Sequence, residues 1–162
     1  MNWDKITNII LIASFAVLAV FAILGLCQWI HRKSLKKVDK PLLWMLLPLA
    51  LMAITYVVFD KFIILNTRPD GSGEPSFPST HVMVVATIFF LAMLALPKYI
   101  KSKTALVFLD LFMLAFIALT AAGRVLADKH WLSDVIAALI FAAIFVVIYY
   151  LTAIRRRKPK NA

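Results

Sequence analysis

Five apolar segments, residues 6–30, 41–59, 79–96, 104–122 and 131–154, dominate this chain of 162 residues. Each approaches the roughly 20 residues that a helix needs to cross a bilayer core, and a helix satisfies every backbone polar group inside its own segment, as lipid demands. The expected fold is therefore all-α: a polytopic membrane helical bundle of about five transmembrane helices. The 63% hydrophobic content and mean hydropathy of +0.90 lie outside the range of soluble domains. Residues 1–154 read as one transmembrane domain and 155–162 as a basic cytoplasmic tail. The first segment lacks a basic flank before it and carries HRKSLKKVDK after it, so it reads as a retained helix rather than a cleaved signal. Cys27 is the sole cysteine, which excludes an internal disulfide and a cysteine-rich metal site.

The net charge of +10 follows a membrane rule rather than a nucleic-acid one. Thirteen of the eighteen cations lie in the first loop (Arg32, Lys33, Lys36, Lys37, Lys40), the third loop (Lys98, Lys101, Lys103) and the tail (Arg155, Arg156, Arg157, Lys158, Lys160). With five crossings these share one side, which the positive-inside rule makes cytoplasmic, with the N-terminus outside. Contact with anionic lipid accounts for them, and no nucleic acid is implied. Trp3, Trp29, Trp44 and Trp131 fall near segment ends, where indole favours the interface. A multi-pass protein of the plasma membrane is expected.

The five cations left on the outer side are Lys5, Lys61, Arg68, Arg124 and Lys129. Orientation does not explain them, and charge at the end of a membrane helix is a functional signal by default; Lys5 and Lys129 read as ordinary surface residues. Lys61 and Arg68 stand seven residues apart, on one face if the second helix runs that far. The stretch PSFPSTHVMVV, residues 75–85, places proline, hydroxyls and a histidine at the entry to the third span. With Pro78 at the first helical position, the amides of Ser79, Thr80 and His81 point out of the helix start and make an anion site, to which the Ser79 hydroxyl adds a donor. In the second outer loop His130 precedes Asp134 by four residues. If Asp128 caps the helix, the carboxylate orients the imidazole; if Ser133 is the cap, that geometry weakens. Two histidines, three cations and a helix N-terminus suit phosphoryl transfer, with His130 attacking phosphorus and His81 protonating the leaving oxygen. So electropositive a pocket is hostile to zinc. Asp110, alone within the fourth segment, reads as structural.

KFIILNTRP from Lys61, PSTH from Pro78 and GRVLADKHWLSD from Gly123 resemble, in order and spacing, the three signatures of the type 2 phosphatidic acid phosphatase (PAP2) superfamily, K-x6-RP, PSGH and SR-x5-H-x3-D. The resemblance implies a membrane lipid phosphatase that uses neither metal nor cofactor. His130 would carry a phosphohistidine, Asp134 would orient it, His81 would be the general acid, and Lys61, Arg68, Ser79, Thr80 and Arg124 would hold the phosphate. Thr80 replaces the usual glycine and brings a methyl group to the site; Gly123 replaces the usual serine and adds backbone freedom. Many relatives have six membrane helices. The helix missing here exposes a face that a second copy would cover, so a homo-oligomer is expected. The substrate is a membrane lipid: undecaprenyl diphosphate at the outer surface is the first choice, and phosphatidylglycerol phosphate and phosphatidic acid follow. A lipid phosphotransferase would use the same residues. A headgroup-binding or transport protein would need the cations and helix end but not the His130 and Asp134 pair.

Overall fold

The computed structural model describes residues 2–155, so most of the tail expected at 155–162 lies outside the described residues. Its helices are α1 (Trp3–Arg32), α2 (Lys40–Trp44), α3 (Leu46–Val57), α4 (Thr80–Ala95), α5 (Lys103–Leu126) and α6 (Leu132–Tyr149). Single π-helical turns, Val58–Phe62 and Tyr150–Ile154, continue α3 and α6. Five stretches of described residues are long and apolar enough to cross a membrane: Trp3–Arg32, Lys40–Phe62, Thr80–Lys98, Lys103–Leu126 and Leu132–Ile154. The fold is the expected all-α bundle, with each span near its expected place.

α4 is the axis of the bundle. In its spanning window 61% of residues are buried, against 17–28% for the other four. Its sequence allows this, because Ala86, Ala92 and Ala95 bring neighbouring backbones close while Val82, Met83, Val85 and Leu91 fill the gaps. α1, α5, α6 and α3 surround it and present Ile12, Phe108, Leu111 and Ile140 outward, toward lipid. The break between α2 and α3 follows from Pro48, which cannot donate to the Trp44 carbonyl and whose ring crowds it.

Polar contacts sort the two ends of the bundle. At the end where α1 finishes, Asp39 gathers Lys98 at 2.5 Å and Arg32 at 3.5 Å, while Gln28 and Tyr99 donate to it at 3.0 and 3.1 Å. The basic first and third loops thus meet at one end. At the other end α1 begins beside the start of α4 and the end of α5.

Candidate functional site

The first outer loop, residues 63–79, is not the helical extension that the Lys61 to Arg68 spacing allowed. It doubles back through an antiparallel bridge between Thr67 and Pro75, with the Arg68 amide donating to the Glu74 carbonyl at 3.0 Å. Gly71 and Gly73 turn the chain at φ 76° and 75°, which side chains with a Cβ disfavour. This loop is pinned to the junction between α5 and α6. Trp131 Nε1 donates to the Thr67 carbonyl at 2.9 Å, Lys129 pairs with Asp70 at 2.8 Å, and Asn66 Nδ2 donates to Asp134 at 3.1 Å.

α4 starts two residues later than a helix with Pro78 at its first position would. Thr80 is its first residue and Ser79 its cap, so Pro78, joined to Phe77 by a cis peptide bond, stands before the cap and not at the first helical position. The Ser79 amide does not point into an anion site; it donates to the Asp134 carbonyl at 3.2 Å. The first helical bond runs from Met83 to the Ser79 carbonyl at 2.9 Å, which leaves the amides of Thr80, His81 and Val82 without intrahelical acceptors. The Ser79 side chain is fully buried and its Oγ has no hydrogen-bond partner.

His130 precedes α6, whose cap is neither Asp128 nor Ser133 but Trp131. Asp134 therefore occupies the third helical position, where its carboxylate accepts from the Trp131 amide at 3.0 Å as well as from Asn66. It stands 4.0 Å from His130 Nδ1, too far for a hydrogen bond. The group that orients the imidazole is the Ser76 carbonyl, 2.7 Å from Nδ1. A carbonyl only accepts, so Nδ1 carries the proton and Nε2 keeps the lone pair. Burial, with the Arg124 guanidinium nearby, pushes His130 down to about 4 from the ordinary imidazole value, although the Ser76 carbonyl and the Asp134 charge hold it up. The ring is neutral at pH 7.

A cavity of about 260 Å³ joins these parts. Arg68, Ser76, Thr80, His81, Arg124 and His130 line its polar end; Leu11, Phe15, Tyr56, Phe59, Met83 and Val84 line the rest. Phe15 and Tyr56 are also exposed on the outside of the bundle, so the cavity reaches the lipid-facing surface between α1 and α3. Buried atoms without a partner cluster around the polar end: Arg68 Nε, Arg124 Nε, Ser76 Oγ and Ser79 Oγ. All four can donate, and each costs about 1–3 kcal/mol if left unmet, a pattern that fits an oxyanion. No group of three or more His, Cys, Asp or Glu among the described residues is placed to hold a metal ion.

Of the expected residues, Arg68, Thr80, His81, Arg124 and His130 line the cavity, Ser79 and Asp134 are fully buried and not part of its lining, and Lys61 stands apart. Lys61 is 69% exposed and pairs with Asp60 at 2.8 Å, and it is Asp60 that lines the cavity. The helix ends at Phe62, so the reason for placing Lys61 and Arg68 on one face is lost. Gly123 serves close packing rather than backbone freedom, since a Cβ there would stand 2.7 Å from Thr7 Cγ2.

Sequence reasoning missed Asp4, Thr7, Asn8, Asn66 and Ser76. Arg124, 3% exposed, is held by Asp4 at 2.6 Å and faces Thr7 Oγ1 at 3.4 Å; His81 Nε2 lies 2.7 Å from Asn8 Oδ1. Asp4, Thr7 and Asn8 sit at helical spacing in an otherwise apolar segment, and that polar stripe was the available signal. Ser76 acts through its backbone, which no side-chain pattern reveals.

The PAP2 superfamily model matches residues 55–158. Among solved structures, the crystal structure of a transmembrane PAP2 type phosphatidylglycerolphosphate phosphatase from Bacillus subtilis is similar to this chain, with a TM-score of 0.66 and 21% identity over 96% of this chain and 78% of that one. The two share a fold. No curated protein matches the sequence.

Proposed function

Because the chain belongs to the PAP2 superfamily, we propose that it is a membrane lipid phosphatase working through a phosphohistidine on His130. The observation that carries this reading is the buried imidazole held through Nδ1 by Ser76, which leaves Nε2 as the nucleophile at the polar end of the cavity. Nε2 attacks phosphorus, the bond to the lipid oxygen breaks, and His81 gives that oxygen a proton. Water then attacks the phosphorus, His81 takes its proton, and His130 leaves as the neutral ring. Arg68, Arg124, the Ser79 hydroxyl and the Thr80 amide stabilise charge on the phosphoryl oxygens. Asp134 acts as a carboxylate beside the ring, favouring the positive charge of phosphohistidine, and as the clamp on the start of α6. Lys61 contributes through a rotamer in which Nζ leaves Asp60 for the cavity. No metal takes part, because guanidinium groups meet the phosphoryl charge.

The basic end of the bundle faces the cytoplasm in this reading, and the site faces out of the plasma membrane. Undecaprenyl diphosphate left on that leaflet is the first-choice substrate. Phosphatidylglycerol phosphate is the second reading, favoured by the likeness to the Bacillus subtilis protein. Phosphate release by the purified chain from vesicles holding each lipid in turn, with and without chelator, tests both. Activity restored by a divalent metal after chelation, or wild-type enzyme that never shows acid-quenched phosphohistidine, removes the mechanism. Cysteines at Ser72 and Ala127 in a Cys27→Ser background should react with an impermeant thiol reagent in intact cells, and one at Ser34 only after lysis; the reverse pattern places the site on the inner leaflet.

A further inference from the structure

We propose that Asp4 and Asn8, from the first turns of α1, are positioning residues that fix which nitrogen of His81 carries its resting proton and tie that ring to Arg124. The inference rests on the phosphatase reading for its consequence but not for its geometry. Asp4 Oδ1 accepts from Arg124 Nη1 at 2.6 Å, and its Oδ2 lies 3.4 Å from Asn8 Nδ2. A carboxylate only accepts, so the Asn8 amide must turn its NH2 toward Asp4 and its Oδ1 toward His81, 2.7 Å from Nε2. An amide oxygen also only accepts. Nε2 therefore carries the hydrogen, and Nδ1 is the nitrogen left for substrate.

The two histidines are thus held in opposite tautomers. His130 keeps its hydrogen on Nδ1, which donates to the Ser76 carbonyl, and attacks with Nε2, whereas His81 keeps its hydrogen on Nε2, which donates to Asn8 Oδ1, and exchanges protons through Nδ1. Nδ1 carries no hydrogen at rest; in the first step it takes one from the bound phosphate monoanion and passes it to the leaving oxygen, while Nε2–H stays on Asn8. In the second step Nδ1 takes a proton from the attacking water. The titratable groups that act on the ring, Arg124, His130, Asp4 and Arg68, come from α1, α5 and the two outer loops. Asp4 and Asn8 lie outside the segment matched by the family model, which begins at residue 55.

Asn8 is exposed, so Asn8→Ala should fold, and imidazole nitrogen NMR of the full chain in micelles reads the tautomer directly. Wild type should show His81 as Nε2–H, Asn8→Ala should show a mixture, and Asn8→Asp, which still accepts, should restore Nε2–H. Asn8→Ala should also lower kcat about tenfold on phosphatidic acid, whose alkoxide needs a proton, with KM little changed, and much less on nitrophenyl phosphate, whose leaving group needs none. Resting Nδ1–H on His81, a tautomer indifferent to Asn8→Ala, or equal losses on both substrates would overturn the inference. If wild type hydrolysed neither of these nor undecaprenyl diphosphate nor phosphatidylglycerol phosphate, the phosphatase reading would fall, while the NMR result would still decide the tautomer.

Discussion

The two ends of the bundle handle charge in opposite ways. At the basic end Asp39 is shared by Lys98 and Arg32, and the first and third loops that meet there hold eight cations. At the site end four cations each have their own carboxylate: Lys61 with Asp60, Arg68 with Glu74, Arg124 with Asp4 and Lys129 with Asp70. One end is a surplus of charge, suited to orienting the protein and meeting anionic lipid. The other is nearly balanced, and its cations are useful for their position rather than their number. An arriving phosphate competes with carboxylates already in place, so binding there depends on geometry.

The sharpest break between the ends is functional. His130→Ala should lower turnover by at least about a thousandfold, since no other lone pair replaces a covalent nucleophile, and acid-quenched enzyme should show no phosphohistidine. Lys37→Ala at the basic end should stay within about twofold, as expected of a surface charge away from the chemistry. Steady-state phosphate release from vesicles checks both; comparable losses would mean that the basic end takes part in catalysis.

Gly123→Ala tests how closely α1 must approach the site. The added Cβ meets Thr7 and Trp3, so α1 must shift, and overpacking of this kind costs about 1–3 kcal/mol. Asp4 and Asn8 move with the helix, so turnover should fall more than thermal stability in detergent does. A variant less stable but fully active would show that the α1 contacts serve only the fold.

How much of this was legible depends on range. The spans were legible because lipid imposes a local, continuous demand on side chains. α1 nevertheless runs three residues beyond its apolar stretch, from Trp3, because Asp4 is used by Arg124, which lies 120 positions away. The residues with motif spacing, Arg68, His81, Arg124 and His130, do line one cavity. Their partners were not legible for two reasons. Ser76 supplies a carbonyl, and every residue has one. Asn8 and Asp4 matter only once α1 is packed beside α4 and α5, which helical spacing alone does not specify. The His130 to Asp134 spacing misled because Trp131 caps α6, which turns the carboxylate toward backbone instead of the imidazole.

Acid should act on the two ends in different windows. His130 binds its proton at about 4 in the folded chain, against 6.5 ordinarily, so between those values the unfolded chain takes up more protons and stability falls as pH falls. His130→Gln should flatten that part of the Tm profile. A slope unchanged in the variant would show that His130 is not held neutral.

Asp39 governs the lower window and carries the smallest expected effect. Although burial raises it, hydrogen bonds from Lys98, Gln28 and Tyr99 hold it down at about 2, against 3.8 ordinarily. Its contribution is therefore complete above 3.8 and is lost as pH falls through about 2. Asp39→Asn keeps an acceptor for Gln28 and Tyr99 but loses attraction for Lys98 and Arg32. A single ion-pair cluster near the surface is worth up to ~1 kcal/mol, so Tm at neutral pH should fall by about 2–4 °C. Turnover should be unchanged, because neither Asp39 nor its partners Arg32, Lys98, Gln28 and Tyr99 line the cavity. Lost turnover with Tm intact would mean that the first and third loops reach the site through α1 or α4, and that the two ends are not independent.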